Sequence, residues 1–101
     1  MSEIEVTGKP VHYKDGVLTL AVPMAYKDRY GHEDTEVLYE DCVLIAAARS
    51  WWENGKHMAH PDSVTATGSF KRRVWTDESG KAHSAIQLMT WHLEESARIG
   101  G

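Results

Sequence analysis

The 101-residue chain has the composition of one folded domain, with 42% hydrophobic residues and a net charge of −4. That hydrophobic fraction disfavours a disordered chain, and no apolar run approaches the roughly 20 residues that span a membrane. Residues 1–5 are acidic and lack the apolar core of a secretory signal, and the single Cys42 cannot form an internal disulfide framework. We therefore expect a soluble cytoplasmic protein in which Cys42 is a small buried hydrophobic residue.

The first half of the chain predicts three strands. Asp15 and Gly16 form a hairpin signal between the first two strands. A polar loop is predicted over residues 25–35, before the third strand. The apolar alternation gives the strands these bounds: residues 3–8 with 11–13, residues 17–22, and residues 36–48.

The second half predicts one helix and a hairpin. Ser50 as N-cap and Glu53 three residues later predict a short helix over residues 49–57. Two strands follow, over residues 63–73 and 83–93, joined by a turn at residues 77–80. This order predicts an all-β oligonucleotide-binding (OB) fold, a five-stranded Greek-key barrel with one short helix between strands three and four. We expect the domain to occupy residues 1–95, followed by a short polar tail over residues 96–101.

A cluster of cations and one aromatic ring lies at the end of the fourth predicted strand. Lys71, Arg72 and Arg73 precede Trp75, and Lys81 comes after the turn. Because side chains alternate along a strand, Arg73 and Trp75 are expected on one face. Cations hold phosphates and an indole stacks on a base, so the cluster predicts a site for single-stranded nucleic acid. Two alternatives remain at this point: a charged strand edge that discourages strand addition, and a Trp75 that packs in the core.

Cations and aromatic residues also alternate in the predicted polar loop. Tyr26, Lys27, Arg29 and Tyr30 suit an arm that grips a nucleic-acid strand, while the alternative is an ordinary solvated loop. Trp51 and Trp52 are neighbours on the predicted helix and face about 100° apart, which favours a core or interface role.

Catalytic and metal-binding patterns are weak. His57 and His60 lie three residues apart and Cys42 is available, but neither a Cys-x-x-Cys nor a His-Glu-x-x-His motif is present. No catalytic triad order or phosphate-binding glycine loop stands out. We expect a protein that is not an enzyme and that needs neither a metal nor another cofactor.

Residues 64–80 read VTATGSFKRRVWTDESG. This segment resembles the V-x-V-x-G-x-L-x-x-R-x-W-x-D-x-x-G motif of the bacterial single-stranded DNA-binding protein (SSB) family. The resemblance runs from Thr19 onward and includes the strand and helix over residues 41–61. It implies that Trp75 and Tyr26 stack on bases. Together with the charge pattern, it implies nucleic-acid contacts by Lys71, Arg72, Arg73, Lys81, Lys27, Arg29 and Lys56.

The chain departs from the family pattern at several points. Two further aromatic positions of the family fall on or near Asp41 and on Ala47, which implies weaker binding unless Trp51, Trp52 or Tyr39 substitutes. The chain stops just after the barrel, so we expect no recruitment of replication proteins by an acidic tail tip. The resemblance identifies it as a short, tail-less member, a paralogue or a phage or mobile-element version. It also implies a homotetramer or homodimer.

We expect a protein that binds single-stranded DNA without strong sequence preference, in replication, recombination or repair. The alternative is an OB-fold protein-interaction module, of the primosome or phage accessory type, with weak nucleic-acid affinity. The acidic net charge, the missing aromatic residues and the absent tail favour that alternative.

Overall fold

The computed structural model describes residues 3–54 and 62–96. Its strands close into a barrel in the order β1-β2-β3-β5-β4. β3 and β5 run parallel, and the other neighbours are antiparallel. This architecture confirms the predicted OB fold with its helix between strands three and four. The elements are β1 (Ile4–Lys14), β2 (Val17–Lys27), β3 (Glu33–Leu44), α1 (Ala46–Asn54), β4 (Val64–Thr76) and β5 (Ala82–Glu95).

The predicted loop over residues 25–35 is mostly paired strand. β2 continues to Lys27, directly opposite Glu33 at the start of β3, so that only residues 28–32 form the turn. The prediction was wrong because polar composition reports solvent exposure, whereas a strand needs only main-chain pairing. The side chains of this outer part of the hairpin are exposed on both faces. The β2–β3 hairpin therefore projects from the barrel as a long arm.

Helix α1 begins at Ala46, before its predicted start. The third strand ends at Leu44 instead of residue 48, and the Ile45 N–H donates to the Thr90 carbonyl at 3.0 Å. Ala46 then turns the chain with a φ of 49°. Ser50 lies inside the helix, where its hydroxyl accepts a hydrogen bond from the Asn54 side chain at 3.0 Å. The predicted capping box is therefore not formed, because contacts with β5 set the helix start.

Strand β1 is continuous where two strand pieces were predicted. It runs through Gly8 and Pro10, and its register with β2 shifts between Pro10 and His12. Proline has no N–H to donate, which fits a position at a strand irregularity. At the other end of the chain, the Ser96 N–H donates to the Ser63 carbonyl at 3.1 Å. Of the predicted tail, only Ser96 lies within the described residues.

The core fills the barrel with side chains from four strands and the helix. Trp51 and Trp52 are half-buried and pack against this core, as predicted from their place on the helix. Burying one large aliphatic side chain contributes about 1.5–3 kcal/mol, so this cluster is the main source of stability. Within residues 3–54 and 62–96, nine hydrophobic residues are at most 3% exposed: Leu18, Leu20, Cys42, Leu44, Ala48, Val64, Ala66, Leu88 and Leu93.

Cys42 is fully buried, which confirms its predicted core role. Burial raises the pKa of the Cys42 thiol to about 12, because the thiolate would lose its hydration. We expect the native protein to resist thiol-specific reagents at mildly alkaline pH, where an exposed cysteine reacts quickly. The measurement is the rate of reaction with Ellman's reagent, with the urea-unfolded protein as the positive control. A native rate equal to the unfolded rate would show that the Cys42 thiol is accessible.

Candidate nucleic-acid interface

The β4–β5 hairpin carries a face on which cations and an indole lie together. In the register of the two strands, Trp75 is opposite His83, and Arg73 is opposite Ala85. Lys71 is opposite Gln87. Residues directly opposite each other point to the same side of a sheet, and so do residues two apart on one strand. We call this set the basic face, defined by Lys71, Arg73, Trp75, His83 and Gln87. The prediction that Arg73 and Trp75 share a face is confirmed, and both line one cleft with Gln87.

The opposite face of the same hairpin is largely apolar. Phe70, Val74 and Ile86 are exposed there, and Arg72 lies directly opposite Ile86. Arg72 therefore belongs to the other side of the strand from Trp75 and Arg73. The sequence grouped three consecutive cations as one site, whereas strand alternation separates the middle one. Its predicted nucleic-acid contact has no support from this placement.

Trp75 is half-exposed, with 42% of its surface accessible to solvent. That exposure argues against the alternative in which Trp75 is a core residue. One side of the indole is occupied by His83: the ring centroids are 5.5 Å apart and the planes are inclined by 17°. The stacking partner was not predicted from sequence. The two residues lie eight positions apart across the turn. They face each other only if the hairpin register places position 75 opposite position 83, as it does here.

Asp77 organises the turn between the two strands. Its Oδ1 accepts the N–H groups of Ser79 and Lys81, each at 2.9 Å, and the Ser79 hydroxyl at 2.6 Å. Its Oδ2 lies 2.6 Å from His83 Nε2. The Ser79 hydroxyl, His83 and the Lys81 N–H lower the pKa of the Asp77 carboxyl to about 2. Asp77 is therefore ionised at neutral pH and acts only as an acceptor. Lys81, a predicted contact, is an exposed residue at the end of this turn.

Gln87 places an amide group beside Trp75. The residue is 7% exposed, and within the described parts of the chain its Oε1 is buried without a hydrogen-bond partner. A buried acceptor without a partner costs about 1–3 kcal/mol. The cleft of Arg73, Trp75 and Gln87 thus combines a charge, a ring and an amide.

The β2–β3 hairpin carries the other predicted site residues in a different electrostatic setting. Tyr26 is exposed and its hydroxyl donates to Asp34 Oδ2 at 3.2 Å. Lys27 lies directly opposite Glu33 in the register of the two strands. Arg29 lies in the exposed turn. Between residues 17 and 44 there are six acidic and two basic residues, and six minus two leaves a charge of −4 with histidine neutral. A polyanion is repelled by this hairpin as a whole.

The two hairpins project from the same end of the barrel. β3 and β5 are parallel neighbours, with Cys42 opposite Leu88, and each strand leads from its hairpin turn into the barrel. Their turns, at residues 28–32 and 77–81, therefore extend in the same direction. Over the whole β4–β5 hairpin, from residue 64 to residue 95, four basic and four acidic residues balance. Its outer part, from residue 70 to residue 81, has four basic and two acidic residues and therefore carries +2. The basic side of this barrel end is the side of Trp75.

Lys56, His57 and His60 lie outside the described residues. Within residues 3–54 and 62–96, no three His, Cys, Asp or Glu side chains group to hold a metal ion. No helix in those ranges is long and apolar enough to cross a membrane. At the two positions without the expected aromatic ring, Ala47 is exposed and Asp41 accepts a hydrogen bond from Thr19 at 2.8 Å.

The barrel, its short helix and its hairpins define an OB-fold protein, and comparison with known proteins agrees. The single-stranded DNA-binding protein from Thermus aquaticus, solved as a deletion mutant, matches with a TM-score of 0.71 at 18% identity. The match covers 96% of this chain and 51% of that chain. The SSB of Plasmodium falciparum, solved with single-stranded DNA, matches with a TM-score of 0.68 at 15% identity over 92% of both chains. The small single-stranded DNA-binding protein of Streptomyces coelicolor matches with a TM-score of 0.56 at 15% identity over 94% of both chains.

The chain is also similar in sequence to a known single-stranded DNA-binding protein. No family model matches the chain. A curated single-stranded DNA-binding protein of Deinococcus radiodurans is 31% identical over 84 residues, which cover 83% of this chain. The predicted resemblance to the single-stranded DNA-binding protein family is thereby confirmed. The aligned part spans 27% of the length of that curated relative.

Proposed function

We propose that this chain binds single-stranded DNA without strong sequence preference, through the basic face of the β4–β5 hairpin. The observation that carries the proposal is the half-exposed Trp75 indole, two residues from Arg73 on the outer part of a hairpin, where residues 70–81 carry a net charge of +2. The names of the relatives support the proposal: each is a single-stranded DNA-binding protein, and one was solved with DNA.

Base stacking and phosphate contacts both contribute to the proposed binding. A base stacked on Trp75 contributes about 1–3 kcal/mol, whatever its identity, because every base presents a π face. Lys71 and Arg73 lie on the same side of β4 as the indole and can hold the phosphates that flank a stacked base. Lys81, at the end of the turn, can extend this charged track. Binding by this face is expected to weaken as salt concentration rises, because each phosphate contact releases condensed counterions.

The β2–β3 hairpin makes a smaller contribution in this proposal. Tyr26 offers a second ring, and Lys27 and Arg29 offer two charges, all at the end of the barrel toward which the basic face projects. The Tyr26 hydroxyl is bonded to Asp34, and acidic residues outnumber the cations around it. We infer that DNA passes mainly along the β4–β5 side. Lys56 remains a proposed contact on sequence grounds alone.

The cellular setting is proposed from the resemblance. We propose a role in DNA replication, recombination or repair in the bacterial cytoplasm, and the similarity to single-stranded DNA-binding proteins supports it. One barrel covers few nucleotides, so we propose a homodimer or homotetramer. The exposed apolar residues Phe70, Val74 and Ile86 support such an association, because large exposed apolar patches mark contact surfaces.

A second candidate function is an OB-fold protein-interaction module with weak nucleic-acid affinity. The β2–β3 hairpin favours it, because this arm carries a charge of −4 and exposes Val37, Leu38 and Tyr39. The two functions differ in the expected role of the basic face. Only the first requires that losing a charge on that face weakens binding to DNA.

The two neighbouring arginines provide a matched test. Arg73→Gln and Arg72→Gln remove the same charge from opposite faces of β4. We expect Arg73→Gln to weaken binding of a fluorescein-labelled oligo-dT, because it removes a phosphate contact. We also expect it to reduce the slope of log K against log salt by about 0.7. Arg72→Gln is expected to change both quantities less. Fluorescence anisotropy at several salt concentrations measures both.

Two results would argue against the proposal. Equal effects of the two substitutions would show that the faces are not distinguished and that only net charge matters. If the wild-type protein fails to bind oligo-dT even at low salt, the protein-interaction function is favoured instead.

A further inference from the structure

His83 makes two contacts that together fix the position of its ring. On one side it stacks on Trp75, with centroids 5.5 Å apart and planes inclined by 17°. On its edge, Nε2 lies 2.6 Å from Asp77 Oδ2. Asp77 is itself held by the N–H groups of Ser79 and Lys81. The chain of contacts runs from the turn backbone through Asp77 and His83 to the indole.

The ionised Asp77 determines which nitrogen of His83 carries a proton. A carboxylate can only accept, so His83 must donate from Nε2. This hydrogen bond holds the edge of the imidazole, and the stack on Trp75 holds its face.

We propose that His83, held by Asp77, is a positioning residue that covers one side of the Trp75 indole, so that a base stacks on the other side. The inference rests on the proposed function and deepens it. It follows from the stack and the hydrogen bond. An indole covered on one side presents a single platform in a fixed orientation.

The test compares the affinity for oligo-dT in four proteins at one pH. His83→Ala removes the ring that covers the indole, and His83→Phe keeps a ring there without the hydrogen bond to Asp77. His92→Ala removes an exposed histidine nine positions further along β5, about 30 Å away along the strand. His83→Ala is expected to bind about two- to tenfold more weakly, the range of one aromatic pair. His83→Phe is expected to recover most of this loss, and His92→Ala is expected to bind like the wild type. Circular dichroism checks that each variant is folded.

Two outcomes overturn the inference in distinguishable ways. If His83→Ala binds oligo-dT as tightly as the wild type, the inference fails while the proposed function stands. If the wild-type protein does not bind oligo-dT, both fail.

A measurement without DNA tests the contacts themselves. Long-range proton–nitrogen NMR spectra of the histidine side chains are expected to show the Nε2–H tautomer for His83 at pH 8. Asp77→Asn and Trp75→Phe are each expected to shift the His83 ring signals. A neutral Nδ1–H tautomer, or His83 signals insensitive to both substitutions, would overturn the positioning role.

Discussion

Replacing Trp75 with alanine is expected to weaken the binding of oligo-dT about tenfold or more. The substitution removes the indole on which a base stacks, and one such contact is worth about 1–3 kcal/mol. At 1.4 kcal/mol for each factor of ten, even a contact in the middle of this range gives the expected loss. The ring is half-exposed at the protruding end of a hairpin, so the fold is expected to survive its removal. Anisotropy of a labelled oligo-dT measures the change.

The adjacent residue is the matched control for Trp75. Val74 is also exposed, on the opposite face of the same strand, and Val74→Ala removes apolar surface without touching the basic face. Its affinity for oligo-dT is expected to equal that of the wild type when the two proteins are compared in the same oligomeric state. If Trp75→Ala binds as well as Val74→Ala, the indole is not a stacking platform and the proposed interface is wrong.

Replacing Gly68 with alanine is expected to prevent the barrel from folding. Gly68 lies in β4 beside an irregularity in the pairing with β5, between Thr67 and Gly68. A Cβ atom at this position would lie 1.8 Å from the Met89 carbonyl oxygen and 2.7 Å from its carbon. These are main-chain atoms of the neighbouring strand, so relief requires β4 and β5 to separate. The expected cost exceeds the usual 1–3 kcal/mol of an overpacked core.

A second glycine separates steric exclusion from loss of backbone freedom. Gly31 lies in the turn between β2 and β3 with a φ of 83°, and nothing lies within 4 Å of its Cβ direction. Gly31→Ala is expected to cost only about 1–2 kcal/mol, the cost of a left-handed alanine. Urea unfolding followed by circular dichroism measures both variants. A Gly68→Ala protein as stable as Gly31→Ala would show that β4 and β5 do not approach this closely.

The barrel could be predicted from sequence because its strands carry local signals. Apolar alternation around Leu18 and Leu20, and the Asp15 and Gly16 turn, depend only on neighbouring residues. The helix start could not be predicted in this way. It depends on the Ile45 N–H reaching Thr90 on a distant strand, and the Ser50 pattern has no information about that contact. The long β2–β3 arm was missed for a related reason, because its strands are paired outside the core.

The neighbours of Trp75 on its own strand could be predicted from the sequence, but its neighbours on the adjacent strand could not. A period of two residues placed Arg73 with Trp75, and the register confirms this. The same period places Arg72 on the other face, which the count of consecutive cations obscured. His83 became visible as the partner of Trp75 only with the register of the hairpin. The cross-strand role of Asp77, which holds both the turn and the His83 ring, likewise required the folded geometry.

In the proposed function, the separation of charge between the two hairpins sets the direction of the DNA. An acidic arm beside the basic outer part of β4–β5 would guide a polyanion to one side of the barrel end and limit contacts on the other. A protein with a net charge of −4 would then bind a polyanion through a local face. In this proposal the affinity for DNA depends on a small number of side chains, because only a few cations are placed to contact phosphates.

The central claim is tested most directly by titrating the intrinsic tryptophan fluorescence with oligo-dT at low and high salt, in the wild type and in Trp75→Ala. We predict saturable quenching in the wild type that weakens at high salt, because a base stacks on Trp75 and phosphates contact the basic face. The quenching is predicted to be largely lost in Trp75→Ala. Absence of quenching in the wild type at low salt, or equal quenching in both proteins, would contradict the claim that Trp75 is the stacking platform.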